Sequence, residues 1–569
     1  MTDRRDAGAD REGLSRRSFV GTGLLGGAAA LAGAALPWLP GTAAAESDVP
    51  ARPAPAARPA PFELEEATIA ALQEGMQSGK YTARSLAEMY LARIEELDQQ
   101  GPAINQVLEV NPDALAIADR LDAERKAKGA RGPLHGIPVL LKDNLATADR
   151  MSTTAGSLAL AGSIAPHDSF VARKLREAGA VLLGKTNLSE WANFRSTHSC
   201  SGWSGRGGQT HNPYALDRTP SGSSSGSAGA IAANYAAVAI GTETDGSIVS
   251  PSAACSVVGI KPTLGLVSRA GVVPIAHSQD TAGPIARTVR DAAILLGAIA
   301  GVDPDDAATA AGRGKGRADY TTFLDPNGLK GARIGVARER YMGYSRASDA
   351  LVEDAIRVMK DRGATIVDPA NIPTAGKWDD SEFDVLLYEF KADLNKYLAW
   401  LGPSAPVKSL ADVIRFNDEH AAREMPFFGQ EIMHMAEKKG ALTDPAYRKA
   451  LAKNHRLTRA EGIDAVMDRH RLDALIAPTQ GPAWLIDLVN GDAASGGSSS
   501  PAAVAGYPSI TVPAGYDFGL PVGLSFIGRA WSEPTLIRLA YAYEQATTHR
   551  RPPAFALHAA VPANGRPAA

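Results

Sequence analysis

Apolar residues recur at helical spacing shortly after position 80 of the chain. Between Thr82 and Leu97 they stand three or four residues apart, at positions 86, 90, 94 and 97. This spacing places them on one face of a helix. The pattern therefore predicts a helix over Thr82–Leu97, and the residues that follow predict a second helix over Asn111–Lys126.

Short apolar runs and amphipathic segments alternate along the rest of the chain. Runs rich in Val, Ile and Leu predict buried strands at 137–141, 180–183, 257–260, 333–337, 365–367, 475–477, 509–512 and 522–527. Helices are expected at 168–177, 228–240 and 533–547. Such alternation is typical of an α/β protein with a layered αβα architecture. Between the strands, Asp379–Arg471 has a mostly helical pattern, which predicts a helical insertion into one large domain.

The first 61 residues have a different pattern. Arg16 and Arg17 precede a Gly/Ala/Leu run over 21–36, and three alanines end at Ala45. A charged segment, an apolar segment and a small-residue cleavage site are typical of a signal peptide, and the paired arginines resemble a twin-arginine export signal. The run is shorter than the roughly 20 residues that a membrane span needs. The sequence predicts a signal peptide at 1–45, with the twin-arginine machinery as partner, and no stable membrane insertion.

The same reasoning sets the other expected boundaries. Residues 46–61 form a Pro/Ala-rich linker, since they contain too few apolar side chains to join a core. The folded domain is expected at 62–555 and a C-terminal tail at 556–569. Export would place the protein in the periplasm or outside the cell. The protein is expected to be a monomer or a weak homo-oligomer.

Charge and cysteine content exclude several classes of function. The net charge of −3 offers no global attraction to nucleic acid. The two cysteines, Cys200 and Cys255, lie far apart in sequence with no CxxC motif, which excludes a cysteine-rich zinc site and an iron–sulfur cluster. Two free thiols are expected.

Two Gly/Ser-rich loops between Thr219 and Thr263 are the strongest sign of chemistry. They bracket a segment of small residues, and such loops let backbone N–H groups approach developing negative charge. The stretch GSSSG (222–226) also matches GxSxG, which would make Ser224 the nucleophile of an α/β-hydrolase. That interpretation requires an apolar strand directly before the serine, where Asp217–Pro220 stands instead.

A serine nucleophile also needs a base. Four histidines have loop-like surroundings, namely His135, His198, His211 and His277, but none has metal-ligand spacing, and each is typical of a surface or supporting residue. Lys142 directly follows the apolar run over 137–141, within the stretch GIPVLLKDN (136–144). Because burial lowers the pKa of an amine, a lysine at this place can act as a base.

Several motifs, in this order, resemble the amidase signature family. They are GIPVLLKDN (136–144), GKTNLSE (184–190), SGSSSGS (221–227), GTETDGSI (241–248), GIKPT (259–263), DALIAPT (473–479) and GLPVGL (519–524). Lys142 and Ser223 are 81 residues apart, and Ser223 and Ser247 are 24 apart, which also agrees with the family. The resemblance covers nearly all of 62–553. It implies a single αβα amidase domain with a mixed central sheet covered by helices.

The resemblance also implies roles for individual residues. Ser247 corresponds to the nucleophile, Ser223 to a bridging serine that follows a cis peptide bond, and Lys142 to the base. The backbone N–H groups of Ser247 and of the three residues before it, Thr244, Asp245 and Gly246, would hold the oxyanion. Asn193 matches a position that orients the substrate amide. No metal or organic cofactor is implied.

Departures from the common family pattern refine this expectation. Where the family has GTDxGGSIR, this chain has GTETDGSIV (241–249), with Asp245 in place of glycine and Val249 in place of arginine. This version is similar to the bacterial peptide amidases, which remove ammonia from C-terminal peptide amides. Three alternatives stay open: an amidase for other small, aryl or fatty amides, the glutaminase subunit of a tRNA-dependent amidotransferase, and a catalytically silent or purely binding member of the family.

Overall fold

The computed structural model describes residues 61–403 and 405–560. The expected signal peptide, nearly all of the linker and most of the C-terminal tail lie outside the described residues. The strands are β1 (Val107–Val110), β2 (Pro138–Lys142), β3 (Val181–Thr186), β4 (Trp203–Ser204), β5 (Gly208–Gln209), β6 (Val238–Glu243), β7 (Val258–Lys261), β8 (Thr281–Ala286), β9 (Arg333–Val336), β10 (Thr365–Val367), β11 (Ala474–Pro478), β12 (Ser509–Asp517) and β13 (Leu520–Ile527).

Helices lie between the strands along the chain and pack against the sheet. They are α1 (Ile69–Gln77), α2 (Ala83–Ile94), α3 (Ala114–Lys128), α4 (Phe170–Glu177), α5 (Ser225–Ala232), α6 (Val249–Ala254), α7 (Val289–Ile299), α8 (Arg346–Asp361), α9 (Asp379–Trp400), α10 (Leu410–Glu419), α11 (Ala421–Glu424), α12 (Glu431–Glu437), α13 (Pro445–Thr458), α14 (Asp464–His470), α15 (Ser500–Ala505) and α16 (Glu533–Thr547). Within the described residues, no helix combines the length and apolar character that crossing a membrane requires.

Eleven strands form one mixed sheet, in the order β1-β3-β2-β6-β8-β7-β12-β13-β11-β9-β10. The pairs β2–β3 and β2–β6 are parallel, as are β9–β10 and β9–β11, whereas the neighbours between β6 and β11 are antiparallel. Strand β2 is buried along its whole length, which explains its unbroken apolar run. The single α/β domain with a mixed, helix-covered sheet is thus confirmed.

One expected helix is shorter than the sequence pattern predicted. The helix expected over 228–240 is wrong in its second half, because α5 ends at Ala232 and β6 begins at Val238. Asn234, with a φ of 63°, breaks the helical path between them. Val238–Ile240 pairs with β2 on one side and β8 on the other, and this pairing overrides the weak helical signal of small residues.

The region over Asp379–Arg471 is mostly helical, as predicted. It contains α9 to α14, and α9 packs against α13 and α12. Leu386, Phe390 and Leu394 of α9 belong to an apolar cluster that also contains Trp191 and Ile275 of the main domain. The insertion is therefore joined to the main domain by a shared core next to the predicted site residues.

Candidate active site

The parallel pairing of β2 and β6 brings two predicted loops together. Leu141 lies opposite Ile240, so Lys142 and Thr242 lie near each other at the carboxyl ends of these two parallel strands. Nζ of Lys142 donates to Oγ1 of Thr242 at 2.9 Å and to its carbonyl oxygen at 3.3 Å. The predicted base and the Gly/Ser-rich segment that ends in Ser247 are thus neighbours, although about a hundred residues separate them.

Lys142 also contacts the other predicted loop. Its Nζ lies 2.8 Å from Oγ of Ser223, and both side chains are buried. The peptide bond between Gly222 and Ser223 is cis, the conformation that the family resemblance implied. The backbone N–H of Ser224 donates to the carbonyl oxygen of Ser247 at 3.2 Å, which links the two loops.

Burial lowers the pKa of Lys142 to about 7, while the nearby charges of Asp280 and Glu243 act in the opposite direction. A neutral amine at 2.8 Å from a hydroxyl can accept its proton. A lysine with a pKa of about 7 can supply a neutral amine near physiological pH. The arrangement can therefore serve as a proton acceptor beside Ser223.

A small cavity of about 90 Å³ opens beside the two serines. It is lined by Ala192, Asn193, Phe194, Gly222, Ser223, Thr244, Asp245, Ser247, Ile275, Phe383 and Leu386. All the predicted site residues except Lys142 and Gly246 line it. Lys142 lies behind Ser223, and a Cβ at Gly246 would stand 2.9 Å from the hydroxyls of both Ser250 and Ser499, so this position requires glycine.

Asn193 is held in the cavity wall by an unusual turn. Trp191, Ala192 and Asn193 have φ values of 50°, 52° and 71°, all in the left-handed region. Arg195 and Glu190 close this turn with a fully buried ion pair at 2.6 Å. The Oδ1 atom of Asn193 is buried and has no hydrogen-bond partner among the described residues. Such an atom is available to a ligand. Whether Oδ1 or Nδ2 occupies this position depends on the orientation assigned to the side-chain amide.

Two acidic residues before Ser247 anchor its loop through their side chains. Asp245, which stands where the family has glycine, accepts hydrogen bonds from the hydroxyls of Ser499 at 2.5 Å and Ser500 at 2.6 Å. Glu243 accepts the N–H groups of Ile248 and Val249 at 2.8 and 3.0 Å. The loop that carries Ser247 is thus held at both of its ends.

The alternative nucleophile and the histidines lie elsewhere. Ser224 donates its hydroxyl to the carbonyl oxygen of Thr242 and does not line the cavity. The four histidines bind main-chain or carboxylate groups outside the cavity, for example His135, whose Nε2 lies 2.9 Å from the carbonyl oxygen of Leu121. The structure gives no support to a Ser224 elbow.

One group of side chains has the chemistry of metal ligands. His277, Glu389 and Asp393 place ligand atoms within 4.8 Å of one another. However, Nδ1 of His277 lies 2.8 Å from Asp393 and Nε2 lies 3.5 Å from Glu389. Since both ring nitrogens already face carboxylates, the group fits an ion-pair clamp between α9 and the loop before β8.

Sequence reasoning missed the apolar walls of the cavity. Phe194, Ile275, Phe383 and Leu386 come from three separate segments, and none belongs to a motif. The sequence pattern predicted only that Asp379–Arg471 is mostly helical, and Phe383 and Leu386 come from α9 in that region. The walls depend on how the insertion packs, which no local pattern reveals.

Comparison with known proteins supplies independent information. The model of one protein family, Amidase, matches residues 85–537. A probable amidase of Arabidopsis thaliana is 46% identical over 503 residues, which are 87% of this chain and 92% of that protein. A glutamyl-tRNA(Gln) amidotransferase subunit from Microcystis aeruginosa is 37% identical over 510 residues, covering 86% of this chain and 99% of that protein.

Solved structures include similar folds. The native peptide amidase from Stenotrophomonas maltophilia is 54% identical with a TM-score of 0.84, covering 87% of this chain and 100% of that chain. A peptide amidase complex with the competitive inhibitor chymostatin has the same identity and TM-score. Similarity therefore extends through the sheet, the insertion and the loops that form the cavity.

Proposed function

We propose that this protein converts the C-terminal carboxamide of peptides to a carboxylic acid and ammonia. The chain belongs to the amidase family and is, by that membership, an amide-hydrolysing enzyme. The observation that carries the proposal is the contact of 2.8 Å between the buried amine of Lys142 and the hydroxyl of Ser223, beside a cavity that Ser247 also lines. The 54% identity to a peptide amidase supports the choice of substrate.

The reaction follows from the order of these groups. Neutral Lys142 accepts the proton of Ser223, Ser223 accepts that of Ser247, and Oγ of Ser247 bonds to the amide carbon. Backbone N–H groups of residues 244–247 stabilise the resulting oxyanion, and in comparable sites one such donor contributes about 3–4 kcal/mol. The proton returns through Ser223 to the amide nitrogen, so the C–N bond breaks with loss of neutral ammonia.

Water then repeats the path on the acyl-enzyme. Its proton passes through Ser223 to Lys142, its oxygen bonds to the acyl carbon, and Ser247 leaves with that proton as a free hydroxyl. The products are a carboxylic acid and the regenerated serine. The residues named here balance every proton in both half-reactions without a further group.

The size of the cavity favours a small leaving group. The cavity beside Ser223 and Ser247 is small, about 90 Å³. This favours a primary carboxamide, whose leaving group is ammonia, over a peptide chain that continues on the leaving side. The apolar walls formed by Phe194, Phe383 and Leu386 suit the acyl side, where an extended peptide gains binding energy that positions the scissile carbonyl.

A substrate panel tests this proposal. Purified protein without partners is given amino-acid, dipeptide and tripeptide amides, fatty and aryl amides, glutamine and an unamidated peptide, and ammonia is measured. We expect kcat/KM to rise from the amino-acid amide to the tripeptide amide, with no internal cleavage. Preference for fatty or aryl amides would contradict the peptide assignment, and a requirement for a partner protein would favour the amidotransferase alternative.

The nucleophile is tested separately. Ser247→Ala should abolish turnover while the protein stays folded, and a fluorophosphonate should form its adduct on Ser247 of the wild type. Ser250→Ala is the matched control, since Ser250 lies on α6 and does not line the cavity. An adduct on Ser224 would restore the nucleophile-elbow interpretation.

We also propose export through the twin-arginine pathway. Support comes from the pair Arg16–Arg17, the apolar run over 21–36 and the alanines that end at Ala45. In a bacterial host with this pathway, the full chain should be processed near Ala45 and recovered outside the cytoplasm. An Arg16→Lys, Arg17→Lys double variant that is exported equally well would contradict the proposal.

A further inference from the structure

Asp280 lies just before β8 and contacts two walls of the small cavity at once. Its Oδ1 accepts the hydroxyl of Thr244 at 2.6 Å, and its Oδ2 accepts the N–H groups of Ile275 and Ala276, each at 2.9 Å. Thr244 begins the loop that carries Ser247, and Ile275 lies in another wall of the cavity. One carboxylate therefore ties the loop that carries Ser247 to a segment from a different part of the chain.

We propose that Asp280 is a positioning residue, which fixes the loop over 244–247 so that its backbone N–H groups point at the oxyanion. This inference rests on the proposed function, because the oxyanion is the one formed by attack of Ser247. Asp280 acts through Thr244 and does not line the small cavity itself. No motif of the sequence analysis included it.

The contacts of Asp280 leave the loop little freedom on this side. Charge-assisted hydrogen bonds are shorter and stronger than neutral ones. The neighbouring Gln279 adds a second contact, since its Nε2 donates to the carbonyl oxygen of Thr244 at 3.3 Å and to Glu382 of α9 at 3.1 Å. Asp245 is anchored independently to Ser499 and Ser500, so loss of Asp280 should loosen one end of the loop without releasing the other.

Asp280 is also an electrostatic neighbour of Lys142. The charges that act on this amine are those of Asp280 and Glu243, and both favour its protonated form. Arg269 in turn acts on Asp280. Replacing Asp280 by asparagine removes one negative charge, so the pKa of Lys142 should fall further. The acid limb of the pH–kcat/KM profile should then move to lower pH, whereas a change at Thr244 keeps the charge and should leave the limb in place.

Three variants and one control separate positioning from general damage. Asp280→Asn removes the negative charge from the contact, Thr244→Val removes the hydroxyl, Thr244→Ser keeps the hydroxyl, and Asp303→Asn is the control. Asp303 is a buried carboxylate that accepts the hydroxyl of Ser268 at 2.6 Å and, like Asp280, lines a second cavity of about 760 Å³. It makes no contact with Thr244.

The expected result is a loss of kcat with an unchanged KM. Asp280→Asn and Thr244→Val should lower kcat about 10- to 100-fold, less than removal of an oxyanion donor itself. Thr244→Ser should recover most of the wild-type kcat, and Asp303→Asn should retain it. Only Asp280→Asn should shift the acid limb. Thr244→Val conserves volume, so it carries the test if Asp280→Asn does not fold.

The rate at which a fluorophosphonate labels Ser247 gives a second readout that needs no amide substrate. Labelling should slow in Asp280→Asn and Thr244→Val, since the phosphonyl oxygen uses the same N–H groups. Labelling and kcat equal to the wild type in folded variants, or an equal loss in Asp303→Asn, would overturn the positioning role. Absence of labelling at Ser247 in the wild type would instead contradict the proposed function.

Discussion

The ends of strands β2 and β3 each bury a lysine, and the two lysines meet different partners. Lys142 and Lys185 are both fully buried, and burial lowers their pKa values to about 7 and about 8. Nζ of Lys142 faces the hydroxyl of Ser223, which lines the cavity, whereas Nζ of Lys185 donates to the carbonyl oxygen of Leu145 at 2.7 Å and to the hydroxyl of Thr153 at 2.8 Å, which does not line it.

This difference teaches that a lowered pKa alone does not identify a base. Leu141 pairs with Lys185 and Lys142 pairs with Thr186, so the two lysine side chains leave opposite faces of the sheet. On the other face of the sheet, the positive charge of Lys185 interacts favourably with the buried carboxylate of Asp143. Lys142 has a hydroxyl partner that itself lines the cavity, and in the proposed mechanism this partner connects the lowered pKa to catalysis.

The largest expected effect is on turnover. Lys142→Met should lower kcat by at least ~1000-fold, since it removes the proposed general base, while Lys185→Met should keep kcat of the folded protein within about tenfold of the wild type. Steady-state ammonia release from the two purified variants measures both. Equal losses of kcat in the two variants would contradict the proposal that Lys142, and not Lys185, is the base.

The next effect is on stability, and it has the opposite order. Lys185→Met removes the hydrogen bonds to Leu145 and Thr153 and the positive charge that acts on the buried Asp143, so it should lower the free energy of unfolding by about 1–3 kcal/mol. Lys142→Met should cost less, because the nearby carboxylate of Asp280 keeps hydrogen-bond donors on both of its oxygens. Urea denaturation of both variants gives the comparison, and a greater loss in Lys142→Met would reverse it.

The pH dependence of activity should follow Lys142 alone. Because the base must be neutral, kcat/KM should rise with pH through about 7 and level off above it. Stability should also rise with pH between about 7 and the ordinary lysine value, since the unfolded chain binds the extra proton there. Lys185→Met should keep the acid limb of activity. If the limb disappeared in this variant, the titrating group would be Lys185 and not Lys142.

The smallest expected effect concerns two further buried groups, the thiols of Cys200 and Cys255. Both are free in the structure, and burial raises both pKa values, that of Cys200 to about 12. Neither thiol lies in the small cavity. A thiol reagent should therefore react slowly with native protein, with little change in kcat, and find two thiols after denaturation without reductant. Finding none would indicate a disulfide.

Local patterns predicted the elements that are long or buried along their whole length. The run that ends in Lys142 is apolar because β2 is buried on both faces, and the helical insertion was visible in its periodicity. The segment over 228–240 was misread because small residues favour neither state strongly, and its pairing with β2 and β8 decided the outcome.

The sequence by itself determined the αβα class, the Gly/Ser-rich loops and, through the motifs around Lys142, Ser223 and Ser247, the family and its chemistry. Only the tertiary structure decided which of the buried lysines contacts a hydroxyl that lines the cavity, because that depends on strand register and on the face from which each side chain leaves. It also brought Asp280 to Thr244 and α9 to the cavity. These contacts join segments distant in sequence, and no local spacing encodes them.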